Sequence, residues 1–308
     1  MKYLKLVRYQ NLLLIAFMLL IFHYGFLKLQ DIYVALYDWK YIVFVLATVL
    51  IAAGGYVIND IMDQDTDSIN KPEKQIVGKL ISENTAYNLY FGLTISGVLL
   101  GYYISSAVFK TSFFAVFFMY AALLYMYATS LKQIPVLGNI VVAFVLGLSV
   151  MSVGIFDISP MMTLENQSEM MLFLMIILDY AIFAFFINLI REIIKDIEDI
   201  EGDKSQDINT LAVVLGVEKT KIIVFGLGII SCGVLLWYIY DNLMSSKLYY
   251  ATIYCLLLVV APMIFFIIKT WNASSKKDFH FLSNLLKVVI FFGILSILII
   301  TLNIQSNA

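Results

Sequence analysis

The stretch from Asn59 to Asp67 reads Asn-Asp-Ile-Met-Asp-Gln-Asp-Thr-Asp and sets Asp60, Asp63, Asp65 and Asp67 close together behind an apolar run. On a helix turning about 100° per residue, Asn59, Asp60, Asp63 and Asp67 fall within one arc of roughly 100°, and Asp65 points the other way. A second acidic segment, Asp-Ile-Glu-Asp-Ile-Glu-Gly-Asp, repeats the spacing with Asp196, Asp199 and Asp203, and Glu192 extends its face by one turn. Carboxylates about 6 Å apart repel by roughly 3 kcal/mol per pair at an effective dielectric of 20, so a converging set calls for a cation. Oxygen donors with no His or Cys beside them favour Mg2+. Mg2+ binds through one or two carboxylates plus substrate phosphates, which makes a phosphate-bearing ligand the expected third party. Arg191 and Lys195 interleave with the second segment and Lys132 lies in a short connection between the two, supplying cations for such a ligand.

These side chains need a frame, and the composition says which kind. The chain has 308 residues, 62% of them hydrophobic, 15% aromatic and only 14% charged, with a net charge of −2. Soluble domains carry roughly a quarter charged residues. The pattern is that of an integral membrane protein. A charge this small, without an Arg-rich run, excludes nucleic acid as partner and points to a lipid or a small anion. Cys232 and Cys255 both lie in apolar runs and offer neither a disulfide framework nor a metal-ligand pair.

Nine apolar runs are long enough to cross a ~30 Å hydrocarbon layer as helices. They lie near residues 11–29, 40–58, 87–106, 112–129, 136–156, 170–190, 222–241, 248–269 and 283–302. The first has the basic front of a signal peptide but lacks a small-residue cleavage site, so it reads as a span. The runs show no strict alternation, which favours helices over barrel strands. The spans divide the Lys and Arg residues sixteen to four between two sides. The positive-inside rule then puts the N-terminus and both acidic segments in the cytoplasm and the C-terminus outside the cell (inner) membrane. His23 and Asp179 fall within spans, where an ionisable group calls for a partner, and both are expected in structural pairs. His280 is expected in a loop, and Lys71, Lys74 and Lys79 are expected to serve as interfacial anchors.

Three windows resemble the UbiA-type membrane prenyltransferase family. Residues 59–72, through Asn-Lys-Pro, are similar to its first aspartate motif, and residues 196–203 to its second. Tyr127, Leu131, Lys132, Pro135, Gly138 and Asn139 match its YSxxLKxxPxxGN pattern. Arg8 and Asn11 match an Arg-x-x-Asn of its first helix. The resemblance implies an all-α membrane fold of nine transmembrane helices around a central cavity, one domain over 1–308 made of two four-helix halves plus a ninth helix. Cytoplasmic motif segments would run over about 59–86 and 191–221. It implies an Mg2+-dependent enzyme moving a prenyl group from a polyprenyl diphosphate donor. The metal ligands would be Asp60, Asp63, Asp67, Asp196, Asp199 and Asp203. The diphosphate would meet Lys132, Arg191, Asn59, Tyr127 and Asn139, with Lys132 and Arg191 also stabilising the leaving group and Asp199 as a candidate base.

Within the family the first motif and the chain length look most like the branch that geranylgeranylates geranylgeranylglyceryl phosphate. Aromatic acceptors of quinone or haem pathways, internal cyclisation of the donor and, from another class, a cation-coupled transporter are the competing expectations. A CDP-alcohol phosphotransferase is disfavoured by the absence of its Asp-Gly and Ala-Arg pattern. The chain departs from the family after Asn-Lys-Pro, where it reads Lys-Gln-Ile-Val-Gly-Lys, and at Ala128 and Ala212, where Ser and Pro are usual.

Overall fold

Residues 1–73 and 75–307 are described by a computed structural model. Lys74 therefore lies outside the described residues. Nine helices among these residues are long and apolar enough to cross a membrane: α2 (Tyr9–Gln30), α3 (Asp38–Met62), α5 (Glu83–Ala107), α6 (Thr111–Thr129), α7 (Leu137–Met161), α8 (Gln167–Glu198), α11 (Val217–Met244), α12 (Tyr249–Asn272) and α13 (Lys276–Asn307). All nine expected spans are present, and α8 and α13 extend well past the apolar stretch. Short helices α1 (Lys2–Leu6), α4 (Gln64–Asn70), α9 (Ile200–Ser205) and α10 (Leu211–Leu215) lie between them. His280 sits on α13, not in a loop.

Continuous apolar sequence gives helices here because each backbone N–H and C=O must be satisfied within its own segment. Lipid tails are as apolar as Leu, so association rests on close packing and on polar contacts between helices. α3 packs along α5 and α6, α7 along α8, and α13 along α8. The larger apolar core joins α2, α3, α6, α7 and the first half of α8. Its centre is aromatic: Phe44, Phe117 and Phe156 have ring centroids 5.2–6.0 Å apart. Such pairs add about 0.5–1.5 kcal/mol each beyond their burial. A second core joins α8 with α11, α12 and α13. A third, small one seats Ile76, Val77 and Ile81 against Leu6, Val57, Ile61 and Tyr90. The segment that departs from the family pattern is thus held by two buried aliphatic residues and by Gly78 in the left-handed region at φ +82°.

At the end of the bundle away from the aspartates, His23 Nδ1 lies 2.7 Å from Asp157 Oδ2, both fully buried. Each belongs to a π-helical turn, Ile21–Leu27 and Gly154–Ile158, which widens the helix locally and re-aims the side chain. His23 stacks on Tyr41 at 3.7 Å, and Tyr41 donates to the Leu19 carbonyl. The expected partner for His23 exists, and it is Asp157. Asp179 is different: it makes no hydrogen bond or ion pair among the described residues and borders an apolar recess between α8 and α11, so the expected structural pair is not found.

Candidate active site

Each acidic segment interrupts a long helix at its middle aspartate. α3 ends at Asp63 (φ −90°, ψ 6°) before α4 begins, and α8 ends at Asp199 (φ −102°, ψ 8°) before α9 begins. These angles lie in the sparsely populated bridge region between helix and strand. Backbone bonds carry across each break, from Asp67 N to Asp63 O at 2.8 Å and from Asp203 N to Asp199 O at 3.2 Å. The carboxylates before and after each break therefore stay on one face.

The two faces border a cavity of about 290 Å3, lined by Asn59, Asp63 and Asp67 from one side and Asp196, Asp199 and Asp203 from the other. Tyr127, Lys132, Asn139 and Arg191 line it too, as expected, together with Arg8 and Asn11. Asp65 is exposed and stays outside, also as expected. Asp60 stands to one side. Its carboxylate turns to Arg8, 2.8 Å away, and is absent from the cavity wall. The reason is angular: with Asn59 at 0°, Asp63 and Asp67 fall at about 40° and 80°, and Asp60 at about 100° sits at the rim of the arc.

The aspartates face each other but do not close on one point. Among the described residues no three acidic, His or Cys side chains are gathered into a ready metal-binding group. Cations and amides hold them apart. Lys132 pairs with Asp63, whose other oxygen accepts from Asn59 Nδ2 at 2.5 Å. Lys71 Nζ lies 2.6 Å from Asp199 Oδ2, and Asn139 Nδ2 donates to Asp196 Oδ2 at 2.9 Å. Lys71, expected as a mere anchor, is part of the site, whereas Lys79 caps the Pro72 carbonyl at the surface.

Asn70 is the residue that sequence reasoning missed. Its Nδ2 donates to the Asp199 carbonyl at 2.8 Å and its Oδ1 accepts from Gly202 N at 3.0 Å, so α4 is clamped onto the break in α8. A Cβ on Gly202 would stand 2.3 Å from Asn70 Nδ2, which explains the glycine inside the second acidic segment. Its signal was the Asn-Lys-Pro that follows the first motif. Lys132 is positioned by a tight connection: Gly138 packs against the Lys132 backbone, where a Cβ would lie at 2.8 Å, and Val136 is held at φ 68°, an unusual cost for a β-branched residue. Arg8, at φ 49°, breaks α1 from α2 and stacks over Tyr56 at 5.1 Å.

Burial tunes the groups that border the opening. It lowers the Lys132 ammonium to about 8, opposed by the nearby Asp203 and Asp60 charges. It raises Asp203 to about 6, with repulsion from Asp199 adding to the shift. Asp67 is raised by burial as well, with the Asp60 charge adding to it. Several buried atoms have no partner among the described residues: the oxygens Asn59 Oδ1 and Asp199 Oδ1 and the donor Arg191 Nε. An unpartnered hard oxygen suits a divalent cation and an unpartnered guanidinium N–H suits an anion, so the residues present fit Mg2+ with a phosphate-bearing ligand.

The pattern described as the UbiA prenyltransferase family matches residues 12–288. A digeranylgeranylglyceryl phosphate synthase from Methanosphaera stadtmanae is 30% identical over 82% of this chain and 84% of its own length. One from Sulfolobus acidocaldarius is 37% identical over 62% of this chain, and the match spans 64% of that relative, just under two thirds. A solved digeranylgeranylglyceryl phosphate synthase superposes with a TM-score of 0.62 at 23% identity, covering 97% of both chains. A UbiA homologue from Archaeoglobus fulgidus bound to GPP and Mg2+ superposes with a TM-score of 0.61 at 17% identity, covering 96% of this chain and 99% of its own.

Proposed function

Because the chain belongs to the UbiA prenyltransferase family, we propose that it transfers a geranylgeranyl group from its diphosphate to the free hydroxyl of geranylgeranylglyceryl phosphate, with Mg2+, as one membrane domain over residues 1–308. The observation that carries this reading is the pair of broken helices facing each other across one cavity with lysines between them. The names of the relatives, which are glyceryl phosphate synthases, support the acceptor. The UbiA homologue described with GPP and Mg2+ supports the donor class and the metal.

In this reading Asn59, Asp63 and Asp67 would hold Mg2+ on one side and Asp196 and Asp203 on the other. Bound there, the metal neutralises charge that develops on the departing diphosphate. Lys132 donates to Asp63 and Lys71 to Asp199, a preorganised positive field that costs no rearrangement during reaction. Tyr127 and Asn139 shape the wall. The allylic cation left behind survives only where water is excluded, and the apolar wall of Ile51, Ala52, Leu124, Val145 and Leu146 below the aspartates provides that. Asp199 is tied to Lys71 through one oxygen and keeps Oδ1 free to take the proton of the attacking hydroxyl. The positive-inside count supports a cytoplasmic opening, with the N-terminus inside and the C-terminus outside.

The test is incubation of the purified protein and Mg2+ with labelled geranylgeranyl diphosphate and a panel of acceptors: geranylgeranylglyceryl phosphate, hydroxybenzoate and none. Ether formation on the glyceryl lipid, lost in Asp63→Ala and Asp199→Ala, is the expected result. Prenylation of hydroxybenzoate alone, acceptor-free cyclisation, or turnover that persists in both variants would overturn the reading.

A further inference from the structure

We propose that Arg191 and Lys195 form a separate, metal-free anion subsite that holds the phosphate of the acceptor, rather than contributing to the diphosphate site. The proposal rests on the acceptor reading above. The sequence pattern alone gave Arg191 to the diphosphate, and the charges around it say otherwise.

Each other cation of the cavity is matched one to one with a carboxylate: Lys132 with Asp63, Lys71 with Asp199, and Arg8 with Asp60. Arg191 and Lys195 share a single carboxylate. Glu192 Oε1 accepts from Arg191 Nη1 at 2.9 Å and from Lys195 Nζ at 2.8 Å, and Glu192 is itself only 6% exposed. This trio carries a net positive charge inside the cavity, and Arg191 Nε is a buried donor with no acceptor among the described residues. A buried, unspent donor beside an uncompensated cation is a place prepared for an anion.

Position separates this place from the diphosphate site. Arg191 and Lys195 lie two turns and one turn before Asp199 on the same helix, roughly 12 Å and 6 Å along its axis. They share the cavity wall with Asn188 and Asn11; Lys195 adjoins Asp196, and Arg191 lies five residues before it, roughly 7.5 Å further along the axis. A glyceryl phosphate carries its hydroxyl and its phosphate on neighbouring carbons. With the hydroxyl at Asp199, the phosphate reaches back one turn to Lys195 and Arg191 without entering the carboxylate ring. A monophosphate drawn to the aspartates would instead compete with the donor for Mg2+, and a cation pair bonded to Glu192 rather than to an aspartate keeps the two anions sorted. An acceptor bearing a carboxylate could occupy the same pair, so the assay must distinguish the two.

The experiment measures initial rates of Arg191→Gln, Lys195→Gln and Glu192→Gln against donor, acceptor and Mg2+ separately, with geranylgeranylglyceryl phosphate, its dephosphorylated alcohol and hydroxybenzoate as acceptors. Charge-assisted hydrogen bonds of this kind are worth about tenfold or more each. Arg191→Gln and Lys195→Gln should raise KM for the phosphorylated acceptor about tenfold or more, and by about tenfold more than they change donor KM, apparent Mg2+ affinity or kcat/KM for the alcohol. Glu192→Gln should move the same KM downward, which a merely structural role would not produce. Equal rises in donor and acceptor KM, or an equal loss with the alcohol, would overturn the subsite while the prenyl-transfer reading stands. A wild-type protein that prenylates only hydroxybenzoate would overturn the reading and the phosphate assignment together.

Discussion

Asn70 offers the most searching test of the site, because two backbone groups of the opposite acidic segment depend on its one side chain. Asn70→Ala removes the bonds to the Asp199 carbonyl at 2.8 Å and from Gly202 N at 3.0 Å. At about 1 kcal/mol net for each, the two together amount to about 2 kcal/mol, or roughly a thirtyfold fall in kcat/KM when the clamp sets the distance between the aspartate pairs. Gly202→Ala attacks the same contact from the other side, since its Cβ would stand 2.3 Å and 2.6 Å from Asn70 Nδ2 and Cγ. The double variant carries the weight of the argument. Alanine at position 70 deletes the atoms with which a Cβ on residue 202 collides, so the double variant should be no worse than Asn70→Ala. Initial rates with labelled geranylgeranyl diphosphate at saturating Mg2+, read beside thermal unfolding in detergent, give all four corners of the cycle. Independent losses that multiply would refute the clamp, because residues sharing one contact must couple.

Other outcomes follow from the same geometry. kcat/KM should fall below about pH 6, where Asp203 becomes protonated, and above about pH 8, where Lys132 loses its proton; Lys132→Arg keeps its charge and should remove the alkaline limb, as a pH-rate profile would check. Asp63→Ala should cost at least a hundredfold in kcat, whereas Asp65→Ala, on the exposed side of α4, should leave rate and Mg2+ dependence unchanged. Asp60→Asn should act through Arg8 and not through the metal, leaving the apparent Mg2+ affinity within twofold of wild type. Asp157→Asn should lower thermal stability by about 3–5 kcal/mol with little change in any KM, because it strips one partner from a fully buried pair at the far end of the bundle.

The membrane class, the nine spans and most of the polar residues that line the cavity were legible in the sequence because they are properties of short windows. Twenty apolar residues in a row have few ways to satisfy their backbone outside a helix, and a spacing of 0, 3 and 7 fixes a helical face wherever that helix goes. The exclusion of Asp65 came from that periodicity. The same periodicity set Asp60 at the edge of an arc of about 100°, wide enough for that edge to meet a different neighbour, and only the position of Arg8 decided which way its carboxylate faced.

What tertiary structure decided was pairing. Lys71 read as a surface anchor until α4 and α9 met and put it on Asp199. Asn70 carried no chemistry of its own until the same contact made it a clamp across two segments 129 residues apart. His23, singled out in its apolar run, and Asp157, near the end of another, became a buried pair through two π-helical turns, while Asp179, equally placed by the sequence, has no partner among the described residues. Burial and charge balance are sums over neighbours drawn from the whole chain. A sequence fixes which groups enter those sums, and the packing of helices fixes which of them stand within reach of one another.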